Sequence, residues 1–145
     1  MGHITITQDV AASTEETWLH LADLASHATW MGDAVSIEFI SEETSGVGTT
    51  MRVPTRVGPL RTTDIIEVVS WNPGESIGVE HRGIVSGRGA FRITGGPGKS
   101  IVTWTEELSF PWWWGGVVTA WLARPILRWI WKSNLRRFAR KVAEG

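Results

Sequence analysis

From Leu60 the chain is a succession of strands separated by gaps that fit only hairpins, and at Pro111 this pattern gives way to a helical one that runs to Ala143. Leu60–Trp71, Ser76–Arg82, Ala90–Thr94 and Ser100–Phe110 read as strands. Between them lie Asn72-Pro73-Gly74, the glycine-rich connection Gly83–Gly89 and Gly95-Gly96-Pro97-Gly98. Each break holds glycine, which tolerates a positive φ, and the first and last add a proline of fixed φ, so each reverses the chain. Connections this short make sequential strands pair antiparallel. A meander followed by one long helix buries one sheet face, and one helix covers only part of it. The remaining space is filled by side chains or kept as a cavity.

The first half supplies the rest of the sheet. His3–Val10 alternates Ile4 and Ile6 against Thr5 and Thr7, as a strand does. Ser13, with Glu16 three residues later, is a capping box, and Trp18, Leu21, Ala22 and Ala25 follow at helical spacing. Ser26–Met31 reads as a second short helix or turn anchored by Trp30. Val35–Glu42 alternates as a strand, Gly46-Val47-Gly48 signals a hairpin, and Thr49–Thr55 places Met51 and Val53 on one face. Pro54 and Gly58-Pro59 read as a loop.

Bulk properties exclude several classes. The chain has 145 residues, a formal net charge of -1 and no cysteine. This size suits one domain. The near-neutral charge argues against a nucleic-acid partner, and the missing thiols exclude disulfides and zinc–thiolate sites. The N-terminus lacks a basic and apolar leader, and Ile6 stands where myristoylation needs Ser or Thr, so the expected location is cytoplasmic. No cofactor is expected, because the glycine clusters lack the Lys-Ser/Thr and βαβ context of a phosphate cradle. No metal is expected, because His20, Asp23 and His27 straddle a helix end and lack zinc-helix spacing. Ten tryptophans and no tyrosine leave the phenol out of any acid–base scheme.

Several segments in this order resemble the START-like (SRPBCC) superfamily, in its polyketide cyclase/dehydrase branch. They are Ser13-Thr14-Glu15-Glu16-Thr17-Trp18 leading to Leu21-Ala22-Asp23, then Trp30, Gly46-Val47-Gly48-Thr49, Glu67-Val68-Val69-Ser70-Trp71-Asn72-Pro73 and Val102-Thr103-Trp104-Thr105-Glu106-Glu107. A long terminal helix containing a proline, here Pro125, completes the likeness. The resemblance implies an α+β helix-grip fold. A curved antiparallel sheet of about seven strands wraps a long C-terminal helix, with two short helices after the first strand. It carries over no catalytic residue, since the family includes carriers, receptors and cyclases alike.

Alternation places Glu106 on the same face as Val102, Trp104 and Leu108, and His81 with Ile77 and Val79. A carboxylate on an apolar face needs a partner. Glu106 either orients a ligand or moves a proton with His81, or is satisfied by Arg124 or Arg128 of the last helix. Met51, Val53, Val79, Phe91, Ile93, Trp104, Trp121 and Leu127 are the expected lining, with Glu106, His81 and Arg124 as polar anchors. The register of strand 60–71 stays open.

Phe110–Trp131 is apolar nearly all round. Arg124 and Arg128 inside it argue against a membrane span. The expected inner face is Val117, Ala120, Trp121, Arg124, Leu127, Trp131, Leu135 and Phe138. Trp112–Trp114 reads as a gate hinged at Gly115-Gly116, as a peripheral membrane contact, or as a homodimer surface. The leading expectation is a carrier or binder of a hydrophobic small molecule: a lipid, quinone or polyketide-like aromatic. The alternative is a polyketide cyclase or dehydratase using Glu106 or His81 in the same cavity. A second alternative is a membrane- or partner-contacting module.

Overall fold

The structure, a computed structural model, describes residues 2–144 apart from the side chain of Val117. The expected inward position of Val117 therefore lies outside the described residues. β1 (Gly2–Val10) leads into α1 (Thr14–Ala22), where the Ser13 side chain accepts from Glu16 N at 3.1 Å, as the capping box requires. A 3-10 helix at Leu24–Thr29 follows, and Trp30 caps it as a fully buried anchor. Then come β2 (Glu38–Phe39), β3 (Thr50–Val57), β4 (Leu60–Asn72), β5 (Ser76–Arg82), β6 (Ser86–Gly95) and β7 (Ser100–Ser109). A 3-10 turn at Trp112–Trp114 leads to α2 (Val117–Ala143).

The seven strands form one curved antiparallel sheet in the order β1-β7-β6-β5-β4-β3-β2. α2 lies against its β1–β7 side, and Arg128 donates to the Thr5 carbonyl at 2.8 Å. α1 is fixed to the sheet by the buried Thr17 and Ser100 hydroxyls, 2.7 Å apart. The core is aromatic where α2 meets the sheet. Trp30 packs edge-on against Phe138, ring centres 5.0 Å apart, and Trp104 stacks on Trp131 at 5.1 Å.

Four local expectations change. The Val35–Glu42 strand shrinks to Glu38–Phe39; at its C-terminal end the Ser41 hydroxyl takes Thr50 N at 2.8 Å and closes the ladder. Pro54 is not in a loop but inside β3. Its carbonyl points to the outer edge, accepting from Val35 N at 2.9 Å, so its missing N–H also points there and removes nothing from the β3–β4 ladder. Gly87 and Gly89 are not connection but strand, because the turn ends at Val85. A Cβ on Gly87 would strike the Glu107 carbonyl of β7, so close backbone approach requires glycine there.

The fourth change concerns α2. Ala120, Trp131, Leu135 and Phe138 face inward with Asn134 and Val142, as the helical period demands. Trp121, expected inside, is 70% exposed. It follows Ala120 and is turned about 100° from it round the helix. Arg124 is also exposed, its guanidinium in water rather than in an apolar cavity.

Candidate functional site

The sheet curves away from the first half of α2 and leaves a cavity of about 290 Å³ between them. That is near the lower end for small-molecule sites. β3 contributes Met51, Val53 and Thr55, β5 contributes Ile77, Val79 and His81, and β7 contributes Trp104, Glu106 and Leu108. Phe91 of β6 and Ala123, Ile126, Leu127 and Trp131 of α2 complete the apolar wall. The register of β4, left open by the sequence, places Thr62, Asp64 and Ile66 inward; a bulge between Val68 and Ser70 then shifts the pairing. Of the expected lining, Met51, Val53, Val79, His81, Phe91, Trp104, Glu106 and Leu127 meet at this cavity. Ile93 is buried in the core outside it, while Trp121 and Arg124 face solvent.

One end of the cavity is polar. Glu106 is 4% exposed, and each carboxylate oxygen meets a different partner. Trp104 Nε1 donates to Oε1 at 2.9 Å, and His81 Nε2 lies 2.9 Å from Oε2. The partners of Glu106 are thus an indole and an imidazole, not an arginine of α2. Burial alone would push the His81 imidazole down. The Glu106 charge and hydrogen bond, with Asp64 behind them, outweigh burial and raise it above its ordinary value. The pair therefore holds its proton more tightly than free imidazole does.

Gly89 makes this pair possible. It faces Glu106 across the β6–β7 ladder, and a Cβ there would occupy the space of the Glu106 carboxyl group. The signal was in the sequence as a glycine inside a β-spaced segment, but a turn explains a glycine equally well. Asp64 was missed because its strand had no assigned register. Thr55 donates to its Oδ2 at 3.3 Å, while Oδ1 is buried with no hydrogen-bond partner among the described residues. Burial pushes the Asp64 carboxyl up, His81 and Thr55 pull it back, Glu106 and Asp33 push it further, and the net direction is upward.

Asp33 was also missed, since it lies in irregular chain before β2. It receives Trp131 Nε1 at 3.1 Å and Asn134 Nδ2 at 2.7 Å, which ties the cavity wall to α2. His27 lines the cavity from the 3-10 helix. Its Nε2 donates to the Leu21 carbonyl at 2.7 Å, and burial pushes it down to about 4, so it is neutral at neutral pH. Among the described residues the lining holds three carboxylates and two histidines but no lysine or arginine. No group of three His, Cys, Asp or Glu among the described residues is placed to hold a metal ion.

The sequence model of the family described as polyketide cyclase / dehydrase and lipid transport matches residues 1–144. The chain belongs to this family. Its fold is the START-like helix grip, and solved structures repeat it over nearly the whole chain. A conserved protein from Geobacillus kaustophilus superposes with a TM-score of 0.79 at 16% identity, covering 98% of this chain and 95% of that one. The Zhui aromatase/cyclase from a Streptomyces species gives 0.68 at 19% identity, covering 98% and 91%. A START superfamily protein from Mycobacterium smegmatis gives 0.69 at 14%, covering 99% and 96%. At these identities the likeness is one of fold. No functionally curated protein shows significant sequence similarity to the chain.

Proposed function

We propose that this family member binds a hydrophobic small molecule in the cavity between sheet and helix, with a hydrogen-bonding group of the ligand placed against His81, Glu106 and Asp64. The observation that carries this reading is an apolar cavity in whose wall His81, Glu106 and Asp64 come together. The absence of lysine and arginine from the described lining favours a ligand that donates hydrogen bonds, such as a phenol or an alcohol. A ligand carboxylate or phosphate would meet the carboxylates of Asp33, Asp64 and Glu106, and the one imidazole beside them, His81, is already paired with Glu106. Sheet residues supply shape, and the polar end supplies orientation.

A second reading has its own observation, the buried His81–Glu106 pair at 2.9 Å. An imidazole that binds its proton tightly, held by a carboxylate inside a cavity, is suited to hand a proton to a ligand carbonyl or a departing hydroxyl. The reaction class is then the cyclisation or dehydration of a polyketide-like ketone, with Trp104 and Gly89 as positioning residues for Glu106. The aromatase/cyclase named above shares the fold and lends this reading context.

Native mass spectrometry of the purified protein, followed by denaturation and solvent extraction, tests binding. A stoichiometric apolar passenger released on denaturation is the expected result. An empty protein that also fails to take up aromatic alcohols, quinones and neutral lipids overturns it. For the second reading, single-turnover incubation with a linear polyketide mimic should give product that falls at least tenfold in His81→Gln. Equal rates leave the pair as a binding device alone.

A further inference from the structure

α2 carries its largest apolar stripe on the outside. Val118, Trp121, Leu122 and Trp129 recur at helical spacing on the face turned away from the sheet, with Trp121 70% and Trp129 71% exposed, and Ile126 joins this stripe to the cavity edge. Trp112, at 86%, extends the stripe into the preceding turn. Exposed tryptophan on this scale is unusual for a surface that meets only water. Two further observations say what covers it.

The first is charge. From Leu108 to Ala143 the sequence contains no Asp or Glu, whereas α2 carries Arg124, Arg128, Lys132, Arg136, Arg137, Arg140 and Lys141. Arg124 and Arg128 edge the apolar stripe, and Lys132, Arg136 and Arg140 continue its face toward the C-terminus, all five exposed. A second copy of this chain docked through the same face would bring these cations together with no acid of α2 to pair them. An anionic surface would neutralise them. The second observation is position. Leu60, at the β3–β4 hairpin, and Ile126 both line the cavity and stand exposed, so the cavity meets the surface where the stripe lies.

We propose that the outward face of α2 and the Trp112–Trp114 turn seat this protein on an anionic lipid bilayer. The tryptophans and leucine enter the interfacial layer, and the arginines and lysines rest among acidic headgroups. Among the described residues no helix is long and apolar enough to cross a membrane, so the contact is peripheral. The seat brings the cavity opening to the hydrocarbon boundary, and a hydrophobic ligand can pass between bilayer and cavity without crossing water.

Co-sedimentation with phosphatidylcholine vesicles, with and without phosphatidylserine, tests the seat while tryptophan emission is recorded. The full chain should partition onto the phosphatidylserine vesicles with a blue shift, weaken as salt rises, and bind the neutral vesicles far less. Trp121→Ser with Trp129→Ser should lower partitioning at least tenfold. Both side chains are exposed and neither lines the cavity, so melting temperature and cavity binding should stay unchanged. Arg124→Glu with Lys132→Glu should remove the preference for phosphatidylserine. A chain that stays in the supernatant with both vesicle types overturns the proposal. So does sedimentation as a stable dimer that falls apart in the Trp121→Ser/Trp129→Ser variant, which would assign the stripe to a second copy.

Discussion

Trp129 and Trp131 stand two residues apart on α2, one 71% exposed and the other 8%. The halves of the helix on either side of them differ in the same sense. Toward the C-terminus, Leu135, Phe138 and Val142 are almost completely buried, Asn134 binds Asp33, and Arg137 donates to the Trp30 carbonyl at 3.0 Å. Toward the N-terminus the helix borders a cavity on one side and sets its large apolar groups outward on the other. Two histidines differ as well. Both line the cavity, but His27, on the 3-10 helix beside Trp30, is neutral and driven down by burial, whereas His81 is driven up by Glu106. Residue type therefore says little about role here. The backbone decides which tryptophan is core and which is surface, and the neighbours decide which imidazole holds a proton.

The largest effects should come from the packed end. Trp30→Ala or Phe138→Ala should cost about 3–5 kcal/mol in urea denaturation, because each empties a fully enclosed site. Trp129→Ala should stay within about 0.5 kcal/mol of wild type. Equal losses at both ends would erase the contrast between the halves of α2.

Acid should act next, through His27. Its folded value lies near 4, below the ordinary 6.5, so its contribution is present above pH 6.5 and is lost as pH falls toward 4. The 2.5-unit difference corresponds to about 3 kcal/mol. Urea midpoints across this range should fall for the wild type, and the fall should shrink in His27→Gln. An unchanged acid response in that variant would assign it elsewhere.

A smaller, sharper change is expected from Gly89→Ala. The new methyl group meets the carboxyl end of Glu106, which must give up its buried hydrogen bonds to Trp104 and His81, so the stability cost should be about 1–3 kcal/mol. The His81 value should drop, because its charge partner has moved. His81 is raised in the folded protein, so its contribution is present below pH 6.5 and lost as pH rises past the raised value. That alkaline loss should weaken in the variant. NMR titration of the His81 ring measures the shift directly, and an unmoved value would mean that Gly89 does not hold the pair in place.

Most of the fold was legible because period-two alternation and turn chemistry act locally. Ser76–Arg82 and Ser100–Ser109 emerge at nearly the expected bounds, and their inward faces carry His81 and Glu106 as alternation required. What alternation could not give was depth and register. Asp64 needed the β3–β4 pairing, Asp33 lies in irregular chain, and Gly89 resembled a turn residue until its partner strand was known. On α2 the sequence shows apolar residues on both faces of the first half, and period alone cannot say which face meets the sheet. Trp121 and Arg124 were misplaced for that reason.

The cavity should take an apolar ligand by the polar wall that His81, Glu106 and Asp64 form. Three probes of one shape test it in a single calorimetric series: naphthalene, 2-naphthol and 2-naphthoate. The hydroxyl compound should bind about tenfold more tightly than the bare hydrocarbon, in keeping with one hydrogen bond to a charged group, and the carboxylate should bind most weakly. Asp64→Ala with Glu106→Gln should narrow all three differences. Tightest binding of 2-naphthoate, or no binding of any probe, would contradict the account.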